Sequence, residues 1–390
     1  MGDEHPMRVL HLIDSAGVYG AEQVVLSLAT ELRQHGVSTI LGSLRLPGEG
    51  EKPIERAAAE CGIPVWPIFA RRGLDGNAFY TIAGRVAEGI DIIHSHGYKA
   101  NILTALYAGR VCNVPTVSTL HGWTGTTPLR RIWWYETVER RLLGRFDAVV
   151  AVNADMSDVS KIGARVRNRL VVIANGIATT ARAPSELMTD FPELQRVEEF
   201  CARAPTIVAA GRLSAEKGFQ YLLDAIAMLS REGTRVQLVI AGDGVLRHEL
   251  AARAAQLGIA DRVLFTGFVP DVAALFPLFD IFALPSMREG LPIVLLEAMR
   301  AGIPSIASSV GGIPELLGYG EYGVVVPPAN PEKLADGLRA LLNAPESARS
   351  VGQKARRRFE EKYTVSGMAR RYLSLYWRLV ETRCPSRVAV

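Results

Sequence analysis

Two carboxylates and a fresh helix start meet in Leu284-Pro285-Ser286-Met287-Arg288-Glu289-Gly290-Leu291-Pro292-Ile293-Val294-Leu295-Leu296-Glu297-Ala298-Met299. The apolar run Ile281-Phe282-Ala283-Leu284 reads as a buried strand that Pro285-Ser286 stops. Pro292 fits a first helical position, where its missing N–H costs nothing. Glu289 then lies in the loop before the helix and Glu297 in its second turn. The acids flank the free N–H groups of the first turn, a ring that attracts phosphate. Gly290 leaves room for a ligand to approach the backbone, and a carboxylate can accept from sugar hydroxyls. Phosphate-binding amides beside two hydroxyl-binding acids describe a nucleotide-sugar site. The plain alternative is a surface helix with two solvated glutamates.

Transfer from a sugar nucleotide needs above all a cation for the negative charge that grows on the leaving diphosphate. Arg212 and Lys217, in Gly211-Arg212-Leu213-Ser214-Ala215-Glu216-Lys217-Gly218, follow the strand-like run Thr206 to Ala210 and could meet that charge. Gly211 and Gly218 leave room for phosphate. Lys217 could instead be an ordinary exposed lysine of a first turn. The sequence has no Asp-x-Asp pair of the kind that holds a metal, so a reaction without metal or other cofactor is expected.

Glu289 and Glu297 with seven residues between them, inside Pro-Ser-x-x-Glu-Gly-Leu-Pro, resemble the signature of the retaining GT-B glycosyltransferases called group 1, the family 4 type. The resemblance is seconded by the Arg212–Lys217 loop, by Ala241-Gly242-Asp243-Gly244 and by Val310-Gly311-Gly312-Ile313-Pro314-Glu315, in that family's order. It runs from about Met7 to about Tyr376 and is weakest between Leu46 and Ala87. It implies two doubly wound Rossmann-like domains facing a central cleft, and transfer of a hexose-type sugar from a UDP- or GDP-sugar. The implied acceptor is a glycan, a lipid-linked molecule or a small molecule, as in cell-surface polysaccharide biosynthesis. By the same resemblance Glu289 holds sugar hydroxyls and Glu297 the ribose. Main chain around Val269, in Thr266-Gly267-Phe268-Val269-Pro270, packs the base, while Gly242, Gly290 and Leu291 line the donor. Gly20 would lie beside diphosphate and acceptor. The family's favoured account is front-face attack, in which the departing phosphate oxygen takes the acceptor's proton. Double displacement, with Glu289 as nucleophile, stays open. The family usually shows an acid two or three residues after Asn175-Gly176, and this sequence does not, so any role resting on that acid is in doubt.

These residues need strands and helices to position them. Val9 to Ile13, the loop Asp14 to Gly20, and the helical spacing from Ala21 to His35 read as strand, glycine loop, helix. No G-x-G-x-x-G exists there, so a dinucleotide fingerprint is absent. Further strands are expected at Ser38–Leu44, Val65–Ile68, Ile90–Ser95, Pro115–Leu120, Ala148–Val152 and Leu170–Ala174. After the restart at Thr206 come Val236–Ala241, Val263–Phe265, Ile281–Leu284, Ser305–Ala307 and Gly323–Val326. Alternation of this kind means parallel sheets that bind ligands at the carboxyl ends of their strands. His94, Ser95 and His96 end one strand and His121-Gly122 another. His94 reads as a structural hydrogen-bonder. His121, by resemblance near the donor sugar, can donate to or accept from its hydroxyls as a neutral imidazole.

The expected domains are 1–177 with 365–390, on the acceptor side, and 186–364, for the nucleotide sugar, joined by a linker at 178–185. The helical pattern from Val365 to Val380 resembles the family's tail, which crosses back onto the first domain.

Leu129 to Leu143 carries three adjacent aromatics and four arginines at helical spacing. Adjacent aromatics cannot share one helix face. Exposed Trp beside Arg suits weak, peripheral association with an anionic membrane surface; a core helix with a solvated basic side is the alternative.

At 390 residues the chain suits two domains, and 48% hydrophobic with 22% charged residues is ordinary globular composition. A net charge of +4 gives no case for nucleic acid. Cys61, Cys112, Cys201 and Cys384 stand singly, which argues for a reducing compartment, and no apolar run approaches the length of a membrane span. A cytoplasmic protein is expected, neither exported nor membrane-spanning. Among rivals, an epimerase or hydrolase on sugar nucleotides shares the fold, a nicotinamide dehydrogenase lacks its third glycine at Gly242-Asp243-Gly244, and a non-catalytic module would not need Glu289 or Lys217. Donor base, sugar, acceptor and oligomeric state are not written in the sequence.

Overall fold

The computed structural model describes residues 6–15, 17–71, 76–108, 113–122, 131–158 and 162–383. Its chain divides into two compact units, one of 1–176 with 365–390 and one of 177–364.

The first unit holds seven strands: β1 (Arg8–Ile13), β2 (Ser38–Arg45), β3 (Val65–Phe69), β4 (Ile92–His96), β5 (Thr116–Leu120), β6 (Ala148–Ala151) and β7 (Leu170–Val172). They form one sheet in the order β3-β2-β1-β4-β5-β6-β7, each pair parallel. The second unit holds six: β8 (Thr206–Ala210), β9 (Gln237–Ala241), β10 (Val263–Gly267), β11 (Ile281–Leu284), β12 (Ser305–Ser308) and β13 (Val324–Val326), in the parallel order β10-β9-β8-β11-β12-β13. Runs such as Ile207-Val208-Ala209-Ala210 and Leu238-Val239-Ile240 are buried along their whole length, as strands covered by helices on both faces must be. Each sheet reverses its winding at one place, between β1 and β4 in the first unit and between β8 and β11 in the second. Loops leaving those four strands therefore diverge and open a crevice at the strands' carboxyl ends.

The stretch 178–185, read as the linker, is tied to the second unit at its start. Ile177 pairs with Thr364, and its N–H donates to Tyr363 O at 3.0 Å. Arg300 donates to Ala178 O (3.0 Å) and Thr180 O (2.8 Å), and a helix, Pro184–Asp190, opens inside the stretch. The backbone after Asn175-Gly176 is thus paired within the second unit from its first residue.

The long helix Val365–Arg383 belongs to the first unit, and Tyr372 and Tyr376, one turn apart, are fully buried on it. Of the basic aromatic stretch, Leu129 and Arg130 lie outside the described residues, as do Cys112 and Cys384. Arg131–Leu142 form a helix, with Trp134 59% exposed, and Leu143 begins a 3-10 turn after it. The sequence suggests a basic solvated side, yet Glu136 and Glu139 on this helix are buried. Glu139 accepts from Asn101 Nδ2 at 2.6 Å, and Asn101 accepts from Ser95, so a polar network replaces part of an apolar face. Cys61 and Cys201 are free thiols.

Candidate functional site

In the second unit, the two loops that leave the reversal point meet. Gly218 follows the Arg212–Lys217 loop at φ +65°, and a Cβ on it would stand 2.2 Å from Pro285 O. Only glycine fits so close to the β11 loop. The Met287 N–H donates to Glu216 O at 2.8 Å and stitches the loops together. That contact carries Lys217 Nζ to 2.7 Å from Glu289 Oε1, an oxygen that also accepts from Ser286 Oγ at 2.7 Å. Lys217 and Glu289 are 20% and 10% exposed, so water screens the pair only in part. Two residues seen separately in the sequence as a phosphate cation and a sugar acid are therefore one hydrogen-bonded ion pair. Ser286 is a partner that sequence reading missed; its place three residues before Glu289 was the available signal.

Arg212 reaches no such depth. It is 59% exposed, with Glu216 at 3.8 Å. A third loop closes over Glu289: Gly311 has φ +54°, a Cβ there would lie 2.0 Å from Glu289 O, and Gly312 N–H donates to Gly290 O at 2.8 Å. Glu289 and Gly290 are thereby held by main chain on two sides.

The site helix runs Ile293–Ala301 with Pro292 as its N-cap residue at ψ 119°. Pro292 was expected one place further on, as the first helical residue. Its extended ψ keeps it outside the helix, while its carbonyl accepts from Leu295 and Leu296 N–H at 3.2 and 3.3 Å. Glu297 lies in the second turn and is largely covered. Desolvation pushes its carboxyl up to about 7, with Asp271 adding to the rise and Arg300 opposing it. Leu291 and Val269 are buried, whereas Phe268 is 73% exposed beside Val269. Gly242 donates its N–H to Gly267 O at 2.8 Å, so its contribution is to pack the β9 loop against β10, not to offer an amide to a ligand.

In the first unit Gly20 is the first residue of the helix Gly20–Gln34. Glu22 Oε2 accepts from Tyr19 N–H at 3.0 Å, and Glu22 Oε1 accepts from Ser15 Oγ at 2.6 Å, which fixes the loop after β1. Lys52 and Lys99 both pair with Asp14 in that loop.

His121 directly follows β5, and desolvation pulls its pKa down to about 4. Behind it lie His96, His94 and His11. Register pairs His11 with His94, and His96 is two residues further along β4, so all three share one face of the sheet. His94 is held at both nitrogens, Nδ1 by Tyr376 OH at 2.6 Å and Nε2 by Thr119 Oγ1 at 2.7 Å. It is a structural hydrogen-bonder. His11 escaped sequence reading because a histidine inside an apolar strand carries no spacing signal of its own.

Two parallel doubly wound sheets, the second with cation, carboxylate and helix start gathered at its reversal point, are the architecture of the GT-B class. The comparisons agree. A family model for "Glycosyl transferases group 1" matches residues 190–358, and one for "Glycosyltransferase Family 4" matches 18–181. The alpha-maltose-1-phosphate synthase of Mycolicibacterium smegmatis is 30% identical over 316 residues, which cover 74% of this chain and 79% of that protein. The alpha-D-kanosaminyltransferase of Streptomyces kanamyceticus is 36% identical over 174 residues, 44% of this chain and 45% of that one. Among solved structures, Anabaena HepE in complex with UDP-glucose has a TM-score of 0.81 at 23% identity and covers 95% of this chain and 100% of that one. The chain belongs to the group 1, family 4 glycosyltransferases. Among the described residues no helix is long and apolar enough to cross a membrane.

Proposed function

We propose that the protein moves a hexose from a nucleotide-diphosphate sugar, a uridine nucleotide in the first instance, to a glycan, lipid-linked or small-molecule acceptor, with retention at the sugar carbon and without a metal. The observation that carries this is the Lys217–Glu289 ion pair at the β8/β11 reversal point, backed by Ser286 and standing before the helix that begins at Ile293. In the free protein each member satisfies the other. A bound donor divides them: Lys217, with Arg212 at the rim, turns to the diphosphate, and Glu289 accepts from sugar hydroxyls. Amides at the helix start add to the anion's partners.

In the reaction the bond from the anomeric carbon to the diphosphate oxygen breaks, and the acceptor oxygen bonds to that carbon on the same face. The acceptor's proton passes to the departing phosphate oxygen, so no side chain has to act as base. Lys217 contributes where charge grows, in a setting with little water. Glu297 takes the ribose, main chain at Val269 the base, and His121 a hydroxyl of the donor sugar, with Gly20 beside the diphosphate and the acceptor. Metal-independence rests on the lack of an Asp-x-Asp pair and on these cations. The uridine preference leans on HepE, solved with UDP-glucose.

A thermal-shift panel of UDP, GDP, ADP and their sugars tests the reading. A ligand at a hundred times its dissociation constant stabilises by about 2.7 kcal/mol. UDP and a UDP-hexose are expected to raise the melting temperature, and donor loss is expected to depend on added acceptor. No shift with any nucleotide, or donor loss indifferent to acceptor, would overturn it.

A further inference from the structure

Three imidazoles of the first unit form a hydrogen-bond chain. His96 Nε2 is 3.1 Å from His11 Nδ1, and His96 Nδ1 is 3.2 Å from His121 Nε2. The chain's outer nitrogens, His11 Nε2 and His121 Nδ1, are covered and have no hydrogen-bond partner among the described residues. Burial strips water from all three rings and disfavours the imidazolium. It takes His11 down to about 3 and His121 to about 4, and holds His96 well below the ordinary histidine value. At neutral pH each ring therefore carries one N–H and one bare nitrogen.

Counting protons leaves two arrangements. If His96 donates from Nδ1 to His121, its Nε2 must accept from His11 Nδ1, and all three rings are protonated at Nδ1. If His121 donates from Nε2 to His96 Nδ1, His96 must donate from Nε2 to His11, and all three are protonated at Nε2. Any mixed set sets two hydrogens or two lone pairs face to face in a buried contact, where an unmade hydrogen bond is expensive.

We propose that His96 and His11 are positioning residues that fix which nitrogen of His121 bears its proton, so that His121 Nδ1 presents a donor or an acceptor only in step with both partners. This rests on the reading that His121 meets the donor sugar, whose binding must uncover Nδ1, and it decides whether that hydroxyl must give or take a hydrogen bond. The chain passes on polarity and not net charge. A proton added at His121 and handed inward would finish as an imidazolium at His11, the position from which burial excludes it.

One ring nitrogen from each of His11, His94 and His96 lies within 4.8 Å of the other two, a spacing that a metal could draw together. The hydrogen bonds account for them without one: both nitrogens of His94 are engaged by Tyr376 and Thr119, and the cluster contains no carboxylate.

Long-range ¹H–¹⁵N correlation NMR on the ¹⁵N-labelled full chain at pH 7, with rings assigned through single His→Gln variants, reads each tautomer directly. His11, His96 and His121 are expected to share one tautomer. Any mixture among them in the parent protein, or a doubly protonated ring, would overturn the chain. Saturating UDP-glucose should then move the His121 nitrogen signals. A shared tautomer with His121 unmoved would remove the sugar contact and the positioning role with it, whereas mixed tautomers with His121 moved would remove the chain alone. His96→Phe should lower kcat about tenfold or more with little change in donor KM, in line with partners that orient a site histidine. An unchanged kcat counts against the proposal. So does one equivalent of zinc retained through gel filtration, because ligation requires bare nitrogens where the chain places protons.

Discussion

Lys217 Nζ touches a carboxylate in the resting protein, and that contact changes what its removal should do. A loop lysine that packs little core would leave stability alone. Here Lys217→Ala strips a mostly covered Glu289 of its cation, leaving Ser286 alone on that oxygen. A preorganised donor aimed at developing charge is worth about 2.7–4 kcal/mol, or roughly a hundred- to thousandfold in rate. Lys217→Ala should lower single-turnover kcat by that factor and also lower the melting temperature by a few degrees, at about 2–4 °C per kcal/mol. Arg212→Ala, at an exposed position, should leave the melting temperature unchanged. Were Lys217→Ala to turn over normally and merely bind donor less tightly, the lysine would be a docking group. Glu297 yields a pH test. Its folded pKa is raised from 4.5 to about 7, so the native state keeps a proton that the unfolded chain has released. Stability from this carboxyl therefore falls as pH rises from about 4.5 through about 7. Glu297→Gln, measured by melting at pH 4.5 and pH 8, should match the parent at the lower pH and exceed it by a few degrees at the higher. An equal difference at both would show that desolvation is not the cause.

At the scale of elements, the site depends on loops that touch through their backbones. Gly218→Ala would force a Cβ toward Pro285 O at 2.2 Å, in a conformation with φ +65° that costs a non-glycine residue roughly 1–3 kcal/mol even where there is space. The β8 and β11 loops would part, and Lys217 with them. The expected result is a lower melting temperature together with a loss of UDP affinity, read by calorimetry; retained affinity would mean that the ion pair forms without that backbone contact. The helix Arg131–Leu142 makes a second element-scale case. It exposes Trp134, Val138 and Arg141 while burying Glu136 and Glu139. Weak sedimentation with anionic liposomes at low salt is expected, with each basic residue near the surface contributing about 1 kcal/mol. Trp134→Ala and 0.5 M salt should each reduce it. Equal sedimentation with neutral liposomes would discard the electrostatic part.

For the molecule as a whole, the proposed catalysis places positive charge by protein side chains alone. Transfer should persist in excess EDTA at close to its starting rate, measured as product formed from a UDP-hexose. Activity lost to EDTA and restored by magnesium or manganese would hand the leaving group to a metal.

What the sequence determined is local. Apolar runs of strand length alternating with helical spacing gave the two parallel sheets, and strand ends placed Lys217, Glu289 and His121 on loops at the carboxyl ends of strands, because a strand's carboxyl end follows directly from where its apolar run stops. Pro292 marked the helix start to within one residue. The tertiary structure alone decided the pairings. Lys217 and Glu289 are 72 residues apart in the chain and His11 and His96 are 85, distances over which periodicity carries no information. The burial of Glu136 and Glu139 was not legible in the sequence, because burial of a glutamate depends on a partner such as Asn101 arriving from another element. The same holds for the linker, whose lack of a period gave no sign that Arg300 would hold it. Residue type states which hydrogen bonds a side chain can make, and only the packed chain states with whom.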